Sequence, residues 1–188
     1  RALWHLARLV KQPGPLETAF RPLVDVWRRG DARGEAAWAL SSIAKRATDE
    51  AVLQRELDLL VTALAEEDQE TASAPLRPLG VVGSRLQEDD AARRAVEALK
   101  AALSHPHVTC RRQAASALGE VLYSGRNPAA RQLAARTLMG ALDDEDDFVR
   151  EAAASLGNVG ADALGPTTPA AIRVLTAALE DGTQSVRN

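Results

Sequence analysis

The chain repeats itself about every 38 residues, and that period decides which folds are open to it. Leu3, Leu40, Leu79, Leu118 and Leu156 stand 37, 39, 39 and 38 residues apart. Three positions after each comes an aliphatic residue (Leu6, Ile43, Val82, Val121, Val159). Just before the later four lie Ala36-Ala37, Pro75-Leu76, Ala114-Ala115 and Ala152-Ala153. Offsets of three and four share one face of a helix. A second register runs independently through Leu23, Leu60, Leu99, Leu138 and Leu175, each followed four residues later by Trp27, Leu64, Leu103, Leu142 or Leu179. Two helical series with one period predict an array of antiparallel helix pairs, each pair burying its apolar stripe against the next.

With that ruler the chain divides into a half unit over 1–11, pairs over 15–47, 50–86, 91–124 and 129–161, and a half unit over 169–188. The spacing predicts helices over 16–29 and 32–47 joined at Gly30-Asp31, then 50–66 and 75–86, 91–104 and 109–123, 129–142 and 148–159, with 169–180 opening a further unit. Gln12-Pro13-Gly14-Pro15 separates the first half unit from the first pair. The expected class is all-α, a right-handed α-solenoid. Aromatic residues make up only 3% of the chain, which suits small side chains between closely packed helices. Gly80, Gly119 and Gly157 share one register and predict close approach of neighbouring helices. Half units at both ends present apolar helix faces, so the array is expected to continue beyond them. Pro75 and Pro78 predict a helix that starts late or bends, read either as a local change of curvature or as a hinge.

The run Asp146-Asp147-Phe148-Val149-Arg150-Glu151-Ala152-Ala153-Ala154-Ser155-Leu156-Gly157 carries the pattern D-x-x-V-R-x-x-A-A-x-x-L-G. With two helices per unit and this period, the chain resembles HEAT repeats, particularly the short, Ala-rich prokaryotic kind with an armadillo-like superhelix. Tetratricopeptide units are shorter, about 34 residues, and armadillo units need a third helix for which there is no room. The resemblance implies polar ladders between neighbouring units, formed by Asp146 or Asp147, Arg150, Arg112 and Arg187. Gly34 and Ser73 stand where earlier units would carry the arginine, so the ladder is expected to break in the N-terminal half.

The rest of the sequence mostly excludes. A net charge of −3 and a pI near 5.7 argue against a nucleic-acid footprint, which is ordinarily a basic stripe. Cys110 is the single cysteine, so no disulfide forms within the chain and a reducing, cytoplasmic setting is expected. No apolar run reaches membrane-spanning length. The acidic run 143–147 precedes a helix start, where carboxylates cap free N–H groups; contact with a basic partner is the other reading. Calcium is rejected, because a loop counted from Asp143 puts Phe148 and Ala154 where Gly and Glu are needed. His105, His107 and Cys110 fall short of a zinc set and read as a polar turn. Cys110 sits near a helix start that lowers thiol pKa values, but no His/Asn or His/Asp set surrounds it. No nucleophile elbow, phosphate loop or dinucleotide fingerprint occurs. No catalytic, cofactor or metal site is expected.

What remains is a surface. At about 100° per residue, positions two and five on either side of the reference leucine face away from the core of each second helix, on what is usually the concave side. They are Arg1, His5 and Arg8; Glu35, Trp38, Ser42 and Lys45; Ala74, Arg77, Val81 and Ser84; Gln113, Ser116, Glu120 and Tyr123; and Glu151, Ala154, Asn158 and Ala161. Trp, Tyr and Arg are the types enriched at binding hot spots, which singles out Trp38, Arg77 and Tyr123, supported by Glu120, Lys45 and Glu35. Burial of Trp38 against a neighbouring element is the competing reading. The mixed charge favours a protein or peptide partner over phosphate-driven binding. The expectation is a non-catalytic interaction scaffold, oligomeric state open. Its rivals are an architectural spacer or sensor segment of a larger protein, and a HEAT-like enzyme of the bilin lyase or DNA glycosylase type, the last by fold analogy alone.

Overall fold

The computed structural model describes residues 17–29, 33–66, 73–159 and 164–180. Every described element is helical: α1 (Glu17–Arg28), α2 (Arg33–Arg46), α3 (Glu50–Glu66), α4 (Leu76–Arg85), α5 (Asp89–Leu103), α6 (Val108–Ser124), α7 (Pro128–Gly140), α8 (Asp147–Ala154) and α9 (Thr168–Glu180). The expected half unit over 1–11, the Gly30-Asp31 turn and the tail holding Arg187 lie outside the described residues.

The elements stack in two layers. The first helices α1, α3, α5, α7 and α9 contact one another in series, and the second helices α2, α4, α6 and α8 do the same. Each of the first four first helices also packs on its own second helix. The leucine registers explain why. Leu40, Leu79, Leu118 and Leu156 of the second helices and Leu23, Leu60, Leu99 and Leu138 of the first are all buried, and burying one such side chain stabilises by roughly 1.5–3 kcal/mol. The alanines between them let the helices approach. The result is an α-solenoid.

Polar contacts fix one unit on the next at the turns between pairs. The Glu50 carboxylate accepts the Gln87 and Glu88 backbone N–H groups at 2.8 and 3.0 Å. Arg85 donates to the Ala47 carbonyl at 2.9 Å. The buried Asn127 amide donates to Gln87 O and Asp89 Oδ1, while its oxygen accepts Ala130 N and caps α7, whose first turn holds Pro128. These links join residues about one period apart, so each helix cap also sets the register of the array.

One helix starts as its prolines predict, and another ends earlier than its sequence expectation. α4 starts late, one of the two outcomes expected of Pro75 and Pro78: Pro75 is its N-cap and the helix runs from Leu76. That places Pro78 in the first turn, where a missing N–H has no intrahelical acceptor to lose. The second helix of the fourth pair, expected over 148–159, is α-helical only to Ala154 and then tightens into a 3-10 turn over Ser155–Asn158. The tighter winding still buries Leu156, and Gly157 beside it weakens any α-helical continuation. A short 3-10 turn at Gly165–Thr167, with Gly165 at φ 52°, leads into α9; only glycine adopts that backbone without strain.

Candidate interaction face

The outward face of the second helices carries most of the residues expected there. Glu35, Trp38 and Lys45 on α2, Arg77 on α4, Gln113, Ser116 and Tyr123 on α6 and Glu151 on α8 are exposed; Glu120 is half-buried. Trp38 is 54% exposed and Tyr123 47%, so the competing reading of Trp38 as a buried side chain does not hold. Trp38, Arg77, Ser116 and Ala154 occupy the same position of successive repeats, and side-chain size falls along that row. Arg1, His5, Arg8 and Ala161 lie outside the described residues, as does the side chain of Asn158.

Val81 and Ser84, expected on this face, are buried. The reason is the crowding of α4, which packs against α2, α3, α5 and α6 at once and buries eight of its ten residues. Ser84 turns its hydroxyl back onto the Val81 carbonyl at 2.8 Å. Gly80 permits the crowding: a Cβ there would meet Ala117 Cβ at 2.7 Å and its Cα at 2.8 Å. The close approach expected at Gly119 and Gly157, the same position one and two repeats on, does not occur. Among the described residues, a Cβ on Gly119 would meet nothing within 4 Å, and one on Gly157 only Leu175 Cδ1 at 3.8 Å. α4 and α6 are in tight contact at Gly80, whereas α6 and α8 pack together without closing on Gly119.

That gap is a shallow cavity of about 360 Å³ lined by Ala115, Ser116, Gly119, Glu120, Tyr123 and Ala152. Ala115, Gly119 and Ala152 give it a largely apolar lining, which Ser116, Glu120 and Tyr123 complete. Sequence periodicity places Glu120 and Tyr123 on the face but has no means of finding the depression, which depends on the spacing between helices.

A second group of residues lines the turns within pairs. Arg112 of α6 meets Asp146 across the unit boundary with two hydrogen bonds, Nε to Oδ1 at 2.9 Å and Nη2 to Oδ2 at 2.7 Å. Asp146 Oδ1 also accepts Val149 N at 3.2 Å and so caps α8. The Arg112 hydrogen bond, above the other contacts, holds the Asp146 carboxyl below its ordinary range. Arg112 further lies over the exposed Phe148 ring, 4.4 Å from its centroid. Arg150 pairs with Asp147 of its own helix and donates to the Asp144 carbonyl, so it makes no described contact to a neighbouring unit through that carboxylate.

The sequence reading missed Arg111, the buried centre of this edge. Its guanidinium takes Asp144 at 3.0 Å from Nε, Glu145 at 2.7 Å from Nη2, and the His105 and Pro106 carbonyls at 3.2 Å from Nη1. The Asp144 hydrogen bond leads the contacts that raise its pKa further. The available signal was an excess: five carboxylates at 143–147 are more than one ladder and one cap require, and Arg111-Arg112 supplies two cations one period earlier.

The other candidates fall away. Cys110 is buried, and burial pushes its thiol up, against the lowering that a helix start would give. His105 Nδ1 accepts the His107 backbone N–H at 3.1 Å, closing the turn. Among the described residues no group of three or more His, Cys, Asp or Glu is placed to hold a metal ion, and no helix is long and apolar enough to cross a membrane.

Comparison with known proteins adds three findings. A family model described as HEAT repeats matches residues 57–157, just over half of the chain. Solved structures match in 23 chains; one, the crystal structure of an engineered protein, aligns over 99% of this chain and 84% of its own at 23% identity and a TM-score of 0.60, a likeness of fold alone. No curated protein matches the sequence.

Proposed function

The chain belongs to the HEAT-repeat family, and on that premise we propose that it is a non-catalytic scaffold binding a protein or peptide across the outward face of its second helices. The observation that carries this reading is the pair of exposed aromatics, Trp38 on α2 and Tyr123 on α6, with Arg77 on the helix between them. Exposed large aromatics among polar neighbours offer contact area at low cost in side-chain entropy. Lys45, Glu35 and Glu120 surround them with both signs of charge, which suits polypeptide better than a phosphate backbone. The second helices pack more closely than the first, supporting a concave placement for this face, since the inner layer of a curved stack is the compressed one. A cytoplasmic setting suits a buried, unpaired Cys110. The test is capture of partners by the chain and by its Trp38→Ala, Arg77→Ala double variant, beside a Glu97→Ala control on the first-helix layer. Loss of the same partners from the double variant alone supports the reading; an unchanged set leaves only a spacer role.

A further inference from the structure

Position 56 is where one copy of the repeat departs from the others. Four residues before the reference leucine, successive first helices carry Ala19, Glu56, Ala95, Ala134 and Ala171, and the last three are fully buried alanines. Glu56 is buried as deeply, 1% exposed, yet neither of its carboxyl oxygens has a hydrogen-bond partner among the described residues. The repeat indicates its surroundings. Gly83 lies against Ala95 and Val121; one unit earlier the corresponding residues are Ala44 and Val82, both buried.

Among the described residues, nothing charged answers the carboxyl. The elements packed on α3 are α1, α4 and α5. Asp25 of α1, Arg77 of α4 and all the charged residues of α5 are exposed, as are Glu35, Lys45 and Arg46 of α2. Arg85 of α4 is half-buried and donates to the Ala47 carbonyl. An ionised carboxylate buried without a partner is so costly that the group takes up a proton instead.

We propose that Glu56 is a pH-sensitive element built into the seam between α3 and its neighbours: as the neutral acid it packs, and on ionising it opens that seam. Repeat arrays respond locally, because each unit is held only by its neighbours. Burial pushes the Glu56 carboxyl well above the ordinary range. The folded chain therefore keeps a proton that the unfolded chain releases, and stability falls as pH rises between the two pKa values.

The experiment is urea unfolding of the chain between pH 5 and 8, beside Glu56→Ala, which restores the alanine of the other copies, and Glu56→Gln. The parent's folding equilibrium constant is expected to fall by up to about tenfold per pH unit within that window, and both variants to lose that component. A carbon-13 carboxyl titration of the folded chain reads the same group directly: one glutamate resonance titrates above the rest and is missing from Glu56→Gln. Variants that keep the parent's slope, or a titration with no displaced glutamate, overturn the proposal.

Discussion

Gly80 and Ala117 pack so closely that a methyl group on Gly80 would lie 2.7 Å from Ala117 Cβ and 2.9 Å from its carbonyl oxygen. One repeat on, Gly119 opens onto a cavity. The same residue type at the same register thus sets a contact in one place and leaves a gap in the next. Gly80→Ala is expected to destabilise by about 1–3 kcal/mol, the usual range for overpacking, because the obstruction is backbone and has no rotamer to change. Gly119→Ala is expected to stabilise by about 0.4–1 kcal/mol, since alanine restricts the unfolded chain and its methyl meets none of the described residues within 4 Å in the folded one. Urea midpoints of the two variants should move in opposite directions.

Arg111 and Arg112 are adjacent in sequence and unequal in consequence. Arg111 is buried, with its donors spread over Asp144, Glu145 and two carbonyls. Replacing it by alanine leaves Asp144 without its cation and should cost on the order of 3 kcal/mol. The Arg112 side chain is 43% exposed, and water takes over part of its role when it is lost, so Arg112→Ala should lower the midpoint by much less than Arg111→Ala. Equal effects would show that burial does not separate these two ion pairs.

The acid limb of stability should carry the signature of Asp146. Its carboxyl is held low by Arg112 and by the α8 N–H groups, so below the ordinary carboxylate range the unfolded chain binds the proton first. That contribution is present above the unfolded pKa and is lost as pH falls through the folded one. Asp146→Asn should flatten the loss that sets in as pH falls below about 4, the ordinary aspartate value being near 3.9. Glu56 works with the opposite sign at higher pH, so the two variants alter different limbs of one curve.

The fold was open to sequence reading because it rests on periods within each helix. The reference leucines from Leu23 to Leu156 are buried and Leu175 is half-buried, and the face they define carries Trp38, Arg77 and Tyr123 outward. What periodicity cannot carry is the distance between helices. Ser84 has the register of the exposed Lys45 and Tyr123, and Val81 that of the half-buried Ser42 and Glu120, and both are buried because α6 closes on Gly80. The Glu120 and Tyr123 cavity exists because α8 does not close in the same way on Gly119. Glu56 and Arg111 were missed for a related reason: ionisable residues read as surface unless their neighbours across the layer are known. Comparing copies would have exposed Glu56, the one charged residue among five at its register.

Trp38 offers the most direct reading of the proposed face. Trp27 is buried and Trp38 is 54% exposed, so a quencher such as acrylamide should reach Trp38 freely and Trp27 hardly at all. Trp38→Phe should therefore remove a strongly quenched, red-shifted part of the emission without a large change in stability, since surface substitutions usually stay within about 0.5 kcal/mol. A partner docking across α2, α4 and α6 would desolvate the indole. Its emission should then shift to the blue, its quenching should drop, and both changes should vanish in Trp38→Phe. The truncation Trp38→Ala should weaken binding by about 2 kcal/mol or more if the residue is a hot spot. A partner that binds while the Trp38 emission and quenching stay as they were uses another surface of the solenoid.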